Sequence, residues 1–265
     1  MRKLDHLALA LMPIVARAGA AIMRIYGGDF SVQHKADDSP LTQADLESQR
    51  IIIEGLERLT PGIPILSEEF AQASWEERRR WDELWVVDPL DGTREFVKRN
   101  GEFTVNIALV RGHAPLLGIV AAPALGLSYW GAANLGAYSR HHAGPQVRIQ
   151  TVAPQPPWRV VGSRSHASGE TAAFLARLGP HVLSGIGSSL KFCLIAEGKA
   201  DLYPRFGPTS EWDTAAGQAV LEAAGGHVTR LDGRQLRYNC RESLINGDFV
   251  AFSDRRVLPA RGAAE

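Results

Sequence analysis

Apolar positions at the start of the chain recur at helical spacing. Leu4, Leu7, Leu11, Ile14, Ala18, Ile22 and Ile25 form one stripe of a 3.6-residue helix. A polar segment, 29-DFSVQHKADDSP-40, follows and is punctuated by Pro40. A second helix is predicted from about Thr42 to Leu59, closed by 60-TPG-62. Next come a short apolar strand at 63–66, a charged, solvated turn of helix at 75–83, and the buried strand 84-LWVV-87, which runs into 88-DPLDGT-93. Gly and Pro separate three further strand-like runs, 103-FTVNIALV-110, 116-LLGIVAA-122 and 126-GLSYWGA-132. This half reads as two helices against a largely antiparallel sheet.

Turn residues concentrate in 141-HHAGPQ-146 and 153-APQPP-157, which predicts a domain boundary near residue 150. The two units are then 1–150, α+β, and 151–265, α/β. Strands are expected at 158–162, 181–187, 200–204 and near 243–252. Helices are expected at 168–178, 189–198 and from Thr214 to Ala223, the last closed by Gly225 and Gly226. Alternation of this kind points to a layered α/β second half.

Composition narrows the function. The 265 residues carry 29 Lys+Arg against 29 Asp+Glu, a formal charge of zero. A broad basic face for nucleic acid is therefore not expected. Two cysteines, Cys193 and Cys240, make neither a disulfide framework nor a Cys-based metal site, and are expected as reduced, packed thiols. No run reaches the ~20 apolar residues of a bilayer span. The MRK start and the run 7-LALALMPIVA-16 imitate a signal peptide, but Asp5 and Arg17 interrupt it. A structural helix, and with it a cytoplasmic protein, is the expectation. Peripheral association with the inner face of the membrane is left open.

The strongest chemical signal is 84-LWVVDPLDGTREF-96. A buried strand delivers Asp88 to its carboxyl end, Asp91 follows three residues later, and Gly92 permits a tight turn before Thr93. Two such carboxylates repel by about 4 kcal/mol at 4 Å and an effective dielectric of 20. A divalent cation turns that repulsion into attraction, and carboxylate plus carbonyl oxygens suit Mg²⁺. By spacing alone, a metal site and a turn whose carboxylates cap backbone amides both stand. Glu68 and Glu69 sit at another strand end. On its own fragment Asp213, in 211-EWDTAAG-217, reads as the N-cap of an alanine-rich helix. Asp45, in 42-TQAD-45, reads as the partner of Thr42 in a capping box.

In the order Asp45, 67-SEE-69, 88-DPLDGT-93 and 212-WDTAAG-217, the chain resembles the inositol-monophosphatase-like metal-dependent phosphatases from the first helix to about residue 250. The segments 98-KRNGEFTVNIALV-110, 162-GSRSH-166 and 186-IGSSLKFCLIAEGKADLYPRFGPTSEWDTAAG-217 look like its branch of 3′(2′),5′-bisphosphate nucleotidases. The resemblance implies an α/β (α+β) fold, the layered αβαβα sandwich of this family and of fructose-1,6-bisphosphatase. The N-terminal unit would bind metal and the C-terminal one substrate. It implies two or three Mg²⁺ ions, with Glu68, Asp88 and the Leu90 carbonyl at one, and Asp88, Asp91 and Asp213 at the second. Asp45 and Thr93 would position and deprotonate the attacking water, and amides following Gly92 would hold phosphate oxygens. Glu68, Leu90, Asp91, Gly92, Thr93 and Asp213 would also border the substrate, and His166, Ser188, Lys191 and Arg205 would read a second phosphate or the nucleotide. Outside the family context, Lys191 reads as a solvent-facing helix lysine and His166 as a loop histidine. The pair His141 and His142 has no third ligand at useful spacing.

The function so implied is Mg²⁺-dependent conversion of adenosine 3′,5′-bisphosphate to AMP and phosphate, within sulfate assimilation, with inhibition by Li⁺. Inositol monophosphate or fructose 1,6-bisphosphate as substrate is the alternative, and a non-catalytic phosphonucleotide sensor a third. The partner expected is the small nucleotide, with no nucleic acid and no integral membrane segment. A homodimer is compatible with the sequence and not dictated by it.

Overall fold

The computed structural model describes residues 4–34, 40–70, 72–163 and 169–259. Helices α1 (Leu4–Tyr26) and α2 (Gln43–Leu59) pack together as the first layer. Between them in sequence, β1 (Val32–His34) and β2 (Pro40–Thr42) form a small antiparallel pair inside the segment read as polar loop. The helical stripe of α1 is used in full: Leu7, Leu11, Ile14, Ala18 and Ile22 are buried against α2 and the adjoining sheet. Among the described residues α1 is also the one helix long and apolar enough to cross a membrane, although half of its most apolar window is buried inside the molecule.

The second layer is a seven-stranded sheet in sequence order: β3 (Ile65–Ser67), β4 (Glu83–Asp91), β5 (Thr104–Arg111), β6 (Ala114–Ala122), β7 (Leu127–Ala132), β8 (Gly136–His141) and β9 (Gln146–Ile149). Only β3 and β4 run parallel. Trp85 and Val87 face α1 and α2, while Leu84 and Val86 face the opposite side. Burial on both faces is why 84-LWVV-87 is a continuous apolar run rather than an alternating one. Helices α6 (Leu190–Ala196) and α7 (Glu211–Ala223) cover that opposite side. Gly118 of β6 lets α7 approach closely, since a Cβ there would meet the Ala216 carbonyl oxygen.

The fourth layer is a mixed sheet ordered β11 (His181–Ile186), β10 (Trp158–Ser163), β12 (Leu202–Arg205), β14 (Phe249–Phe252) and β13 (His227–Arg230). Its inner face, with Tyr203, Phe249 and Ala251, joins α6, α7 and the first sheet in one apolar cluster. Its outer face, with Val160, Leu202, Val250 and Phe252, is covered by α5 (Gly169–Ala176) through Leu175. The stack is therefore αβαβα, the layering the resemblance implied. The turn-rich stretch at 150–157 separates β9 from β10, yet the core runs on past it.

Several local expectations need correction. Strands β8 and β9 were not expected: they flank the turn residues 141–146 as an edge hairpin whose side chains show no apolar alternation. Strand β13 was not expected, and only 249–252 of the stretch 243–252 is strand. Helix α7 begins at Glu211 rather than Thr214, so its N-cap is Ser210 and Asp213 lies inside the first turn. Cys193 is buried as expected, but Cys240 is exposed in a loop. Lys191 is buried rather than facing solvent. His166 lies outside the described residues.

Candidate active site

The acidic residues meet through a defect in β4. Asp88 pairs with Asn106 and Asp91 with Thr104, so three steps on β4 match two on β5. Residues three apart on a regular strand point to opposite faces, and one bulged residue returns both aspartates to the same face. After the bulge, Gly92 takes φ 89°, the left-handed region, and starts α4 (Thr93–Val97). A Cβ at Gly92 would also collide with the Ser188 hydroxyl. From the other half of the chain, α7 brings Asp213 into reach. Carboxylate oxygens of Asp88, Asp91 and Asp213 lie within 4.8 Å of one another.

Glu68 lines the same cavity, and its amide donates to the Val87 carbonyl (3.2 Å), next to Asp88. Burial, then the charges of Glu68, Asp91 and Asp213, push the Asp88 carboxyl well above its usual range. Burial and Asp91 do the same to Asp213. Burial also raises Asp91, opposed by the nearby Lys191 charge and by donors from Ser189 and Asn106. This is an anion cluster short of positive charge, built only from oxygen donors, and it fits a hard divalent cation.

Asp45 is buried at the start of α2, where its Oδ2 accepts from the Thr42 amide (2.8 Å) and hydroxyl (2.7 Å). Its Oδ1 accepts from the Thr93 hydroxyl (3.1 Å), which also lies 3.3 Å from the Leu90 carbonyl oxygen. Burial holds the Asp45 carboxyl above its ordinary value. The capping box is therefore real, and one oxygen of the same carboxylate faces the cavity threonine.

The cavity, about 370 Å³, has among its lining residues ten that were expected at the site: Glu68, Asp88, Leu90, Asp91, Gly92, Thr93, Ser188, Lys191, Arg205 and Asp213; Arg94, Glu95 and Tyr203 line it as well. Lys191 donates to the carbonyls of Ser188 (2.6 Å) and Ile186 (3.1 Å) and lies over the Tyr203 ring. Burial pushes its ammonium down to about 8, against the opposing pull of Asp91. Arg205 donates one Nη2 bond to the Pro208 carbonyl (2.8 Å), and its buried Nε has no partner. Ser188, at φ 50°, donates towards the Asp91 and Glu102 carbonyls and so shapes the turn.

Sequence reasoning missed the residues that hold Asp91. Its Oδ2 accepts from the Ser189 amide (2.7 Å) and hydroxyl (3.0 Å), from Asn106 Nδ2 (3.2 Å) and from the Thr104 hydroxyl (3.4 Å). The signal was present: Thr104 and Asn106 are polar positions two apart in the apolar run 103-FTVNIALV-110, and both are fully buried.

The model of the inositol monophosphatase family matches residues 3–261. The 3′(2′),5′-bisphosphate nucleotidase CysQ of Salmonella typhimurium is 51% identical over 238 residues, 89% of this chain and 95% of its own. CysQ of Haemophilus influenzae is 34% identical over 95% of this chain and 94% of its own. The crystal structure of CysQ from Bacteroides thetaiotaomicron is 40% identical with a TM-score of 0.83, covering 94% of this chain and 97% of that one. An IMPase of Thermotoga maritima, 24% identical over 94% of this chain and 92% of its own, shares the fold at a TM-score of 0.77.

Proposed function

The chain belongs to the inositol monophosphatase family, and on that premise we propose that it is a 3′(2′),5′-bisphosphate nucleotidase acting on adenosine 3′,5′-bisphosphate. Water attacks the 3′-phosphorus, the bond from phosphorus to the 3′-oxygen breaks, and AMP and phosphate leave. One observation carries the reading: a single cavity holds the acidic cluster together with Lys191 and the unpartnered Nε of Arg205. An acid cluster alone suits any metal-dependent phosphatase. The two added cations suit a substrate with a second phosphate that does not react.

Glu68, Asp88 and the Leu90 carbonyl would hold one Mg²⁺, and Asp88, Asp91 and Asp213 the second, with Asp88 shared. Bound there, the cations supply Lewis-acid charge at the attacking and leaving oxygens. Li⁺ in place of one of them is expected to inhibit.

The chain's own residues orient the water and take its proton. With Oδ2 held by Thr42, Asp45 has Oδ1 available to accept the Thr93 proton. Thr93 can then accept a hydrogen bond or proton from the attacking water. A base with a raised pKa is better matched to neutral pH than an ordinary carboxylate. Lys191 gives the second phosphate a point charge, and Arg205 gives it a planar donor edge.

The test is phosphate release, with Mg²⁺, from adenosine 3′,5′-bisphosphate, inositol 1-phosphate and fructose 1,6-bisphosphate. The nucleotide should give the highest kcat/KM. A higher value on either sugar phosphate overturns the assignment, and no release from any of them overturns catalysis itself.

A further inference from the structure

Outside the cavity lining, three buried polar side chains link the segments that carry Glu68 and Asp213. Arg78, at the end of α3 (Trp75–Arg78), is only 3% exposed. Its guanidinium donates to three places: the Ala73 carbonyl (Nε, 3.1 Å), Asn239 Oδ1 (Nη1, 3.0 Å) and the Glu242 carbonyl (Nη2, 2.8 Å). Asn239 returns a bond from Nδ2 to the Arg78 carbonyl (2.7 Å), and its amide donates to Glu211 Oε2 (2.8 Å). Glu211 is fully buried, its Oε1 has no hydrogen-bond partner, and it is the first residue of α7. The segment bound by Arg78 grips the start of α7 further on, through the Glu211 amide to the Leu244 carbonyl (2.9 Å) and Asn246 Nδ2 to the Ser210 carbonyl (2.9 Å).

The significance lies in what each end carries. The Ala73 carbonyl belongs to the connection from β3 to α3, which bears Glu68, and Glu211 stands two residues before Asp213. Glu68 and Asp213 come from opposite halves of the chain and must converge on a cluster whose members repel one another. A buried guanidinium bonded to the first arm, and linked to the second through Asn239, braces that convergence mechanically without entering the cavity.

We propose that Arg78, acting through Asn239 and Glu211, is a positioning residue that sets the spacing of the Glu68 and Asp213 arms and so tunes affinity for the divalent cation. The inference rests on the metal reading of the cluster. Side chains that orient ligands without touching the metal commonly change affinity 10- to 100-fold, on the order seen for such partners.

The experiment is calorimetric titration of the full chain with Mn²⁺ as the probe, beside the thermal midpoint and kcat at saturating Mn²⁺. Arg78→Met removes the guanidinium. Asn239→Gly removes only the side-chain link, and φ 47° at that position suits glycine, so the backbone is not strained. Leu175→Ala, in the outer layer, is the control for lost stability alone. Arg78→Met and Asn239→Gly should bind Mn²⁺ about tenfold more weakly or worse, with kcat at saturation largely kept, while Leu175→Ala binds as the parent does. Should Arg78→Met fail to fold, Asn239→Gly decides. Unchanged Mn²⁺ affinity in Asn239→Gly, or an equal loss in Leu175→Ala, overturns the positioning role. A parent protein that binds no Mn²⁺ overturns the metal reading, and this inference with it.

Discussion

Helices α2 and α7 begin with the same device and use it for different chemistry. Each starts at a hydroxyl residue, Thr42 or Ser210, with an aspartate three positions on, Asp45 or Asp213. In both, the aspartate Oδ2 accepts the cap amide at 2.8 Å, leaving the other oxygen for partners outside the helix. The surroundings then diverge. Hydroxyls of Thr42 and Thr93 meet Asp45, whereas Asp213 meets the carboxylates of Asp88 and Asp91. A carboxylate among hydroxyls can hold and pass a proton, and one among carboxylates needs a cation. One oxygen of each side chain thus serves the cap, and neighbours outside the helix set the chemistry open to the other.

The largest effect should come from breaking the α7 side. Asparagine at 213 can still accept from the Ser210 amide, so Asp213→Asn keeps the cap and loses the charge. Activity should fall by about 10³-fold or more, the scale of several kcal/mol of charge stabilisation, and Asp88→Asn should match it. The metal-free protein should be at least as stable as the parent, because burial and mutual repulsion hold Asp88 and Asp213 above the ordinary 3.8. The sign follows: the folded, metal-free chain binds more protons than the unfolded one above that value, so its stability falls as pH rises. Thermal melts without metal should show this slope in the parent and a shallower one in Asp213→Asn. A steeper slope, or near-normal phosphate release, removes Asp213 from the metal reading.

On the α2 side, Asp45→Asn should lower kcat by roughly 10²-fold, the usual scale for lost general-base assistance, and Thr93→Ala should do likewise. Mn²⁺ affinity, measured directly, should stay near the parent's in both. If Asp45→Asn changed only the thermal midpoint, Asp45 would be a cap and nothing more.

Legibility in the sequence follows the same division. The layers were readable because α1 and strands β4 to β6 carry strong apolar periodicity or two-sided burial. Strands β8, β9 and β13 were not, since exposed edge strands and a short strand among turns carry little pattern. The convergence of the acidic positions was readable only through the family motifs and not from local pattern, because a β-bulge and the approach of α7 leave no local mark. The burial of Lys191 was hidden for another reason: 190-LKFCLIAEG-198 is apolar nearly all round, and only the packed fold shows that its lysine turns into the cavity rather than out to bulk solvent.

Lys191 and Arg205 belong to neither cap and sharpen the comparison from outside it. Truncating either to Ala removes a contact to the second phosphate worth about 1.5–3 kcal/mol, so kcat/KM for adenosine 3′,5′-bisphosphate should fall roughly 10- to 150-fold. Adenosine 3′-monophosphate has no second phosphate, and its poorer hydrolysis should barely respond. The aspartate variants should damage both substrates equally. Equal losses for Lys191→Ala and Arg205→Ala on the two nucleotides would favour the sugar phosphates.

The smallest effects should come from the cap hydroxyls, and they test the comparison most directly. Thr42→Ala and Ser210→Ala should each destabilise by about 1 kcal/mol, the ordinary value of a cap. Their pH profiles should differ. The Thr42 hydroxyl donates to Asp45 and favours its charged form, second only to burial in setting its pKa. Removing that donor raises the Asp45 pKa further, so the acidic limb of kcat/KM moves to higher pH in Thr42→Ala. At Ser210 the bond that favours charged Asp213 comes from the backbone amide, which alanine retains. The limb should therefore stay where it is in Ser210→Ala. A shift in both variants would mean that the two aspartates titrate as one unit, and that the proton is not held at Asp45 alone.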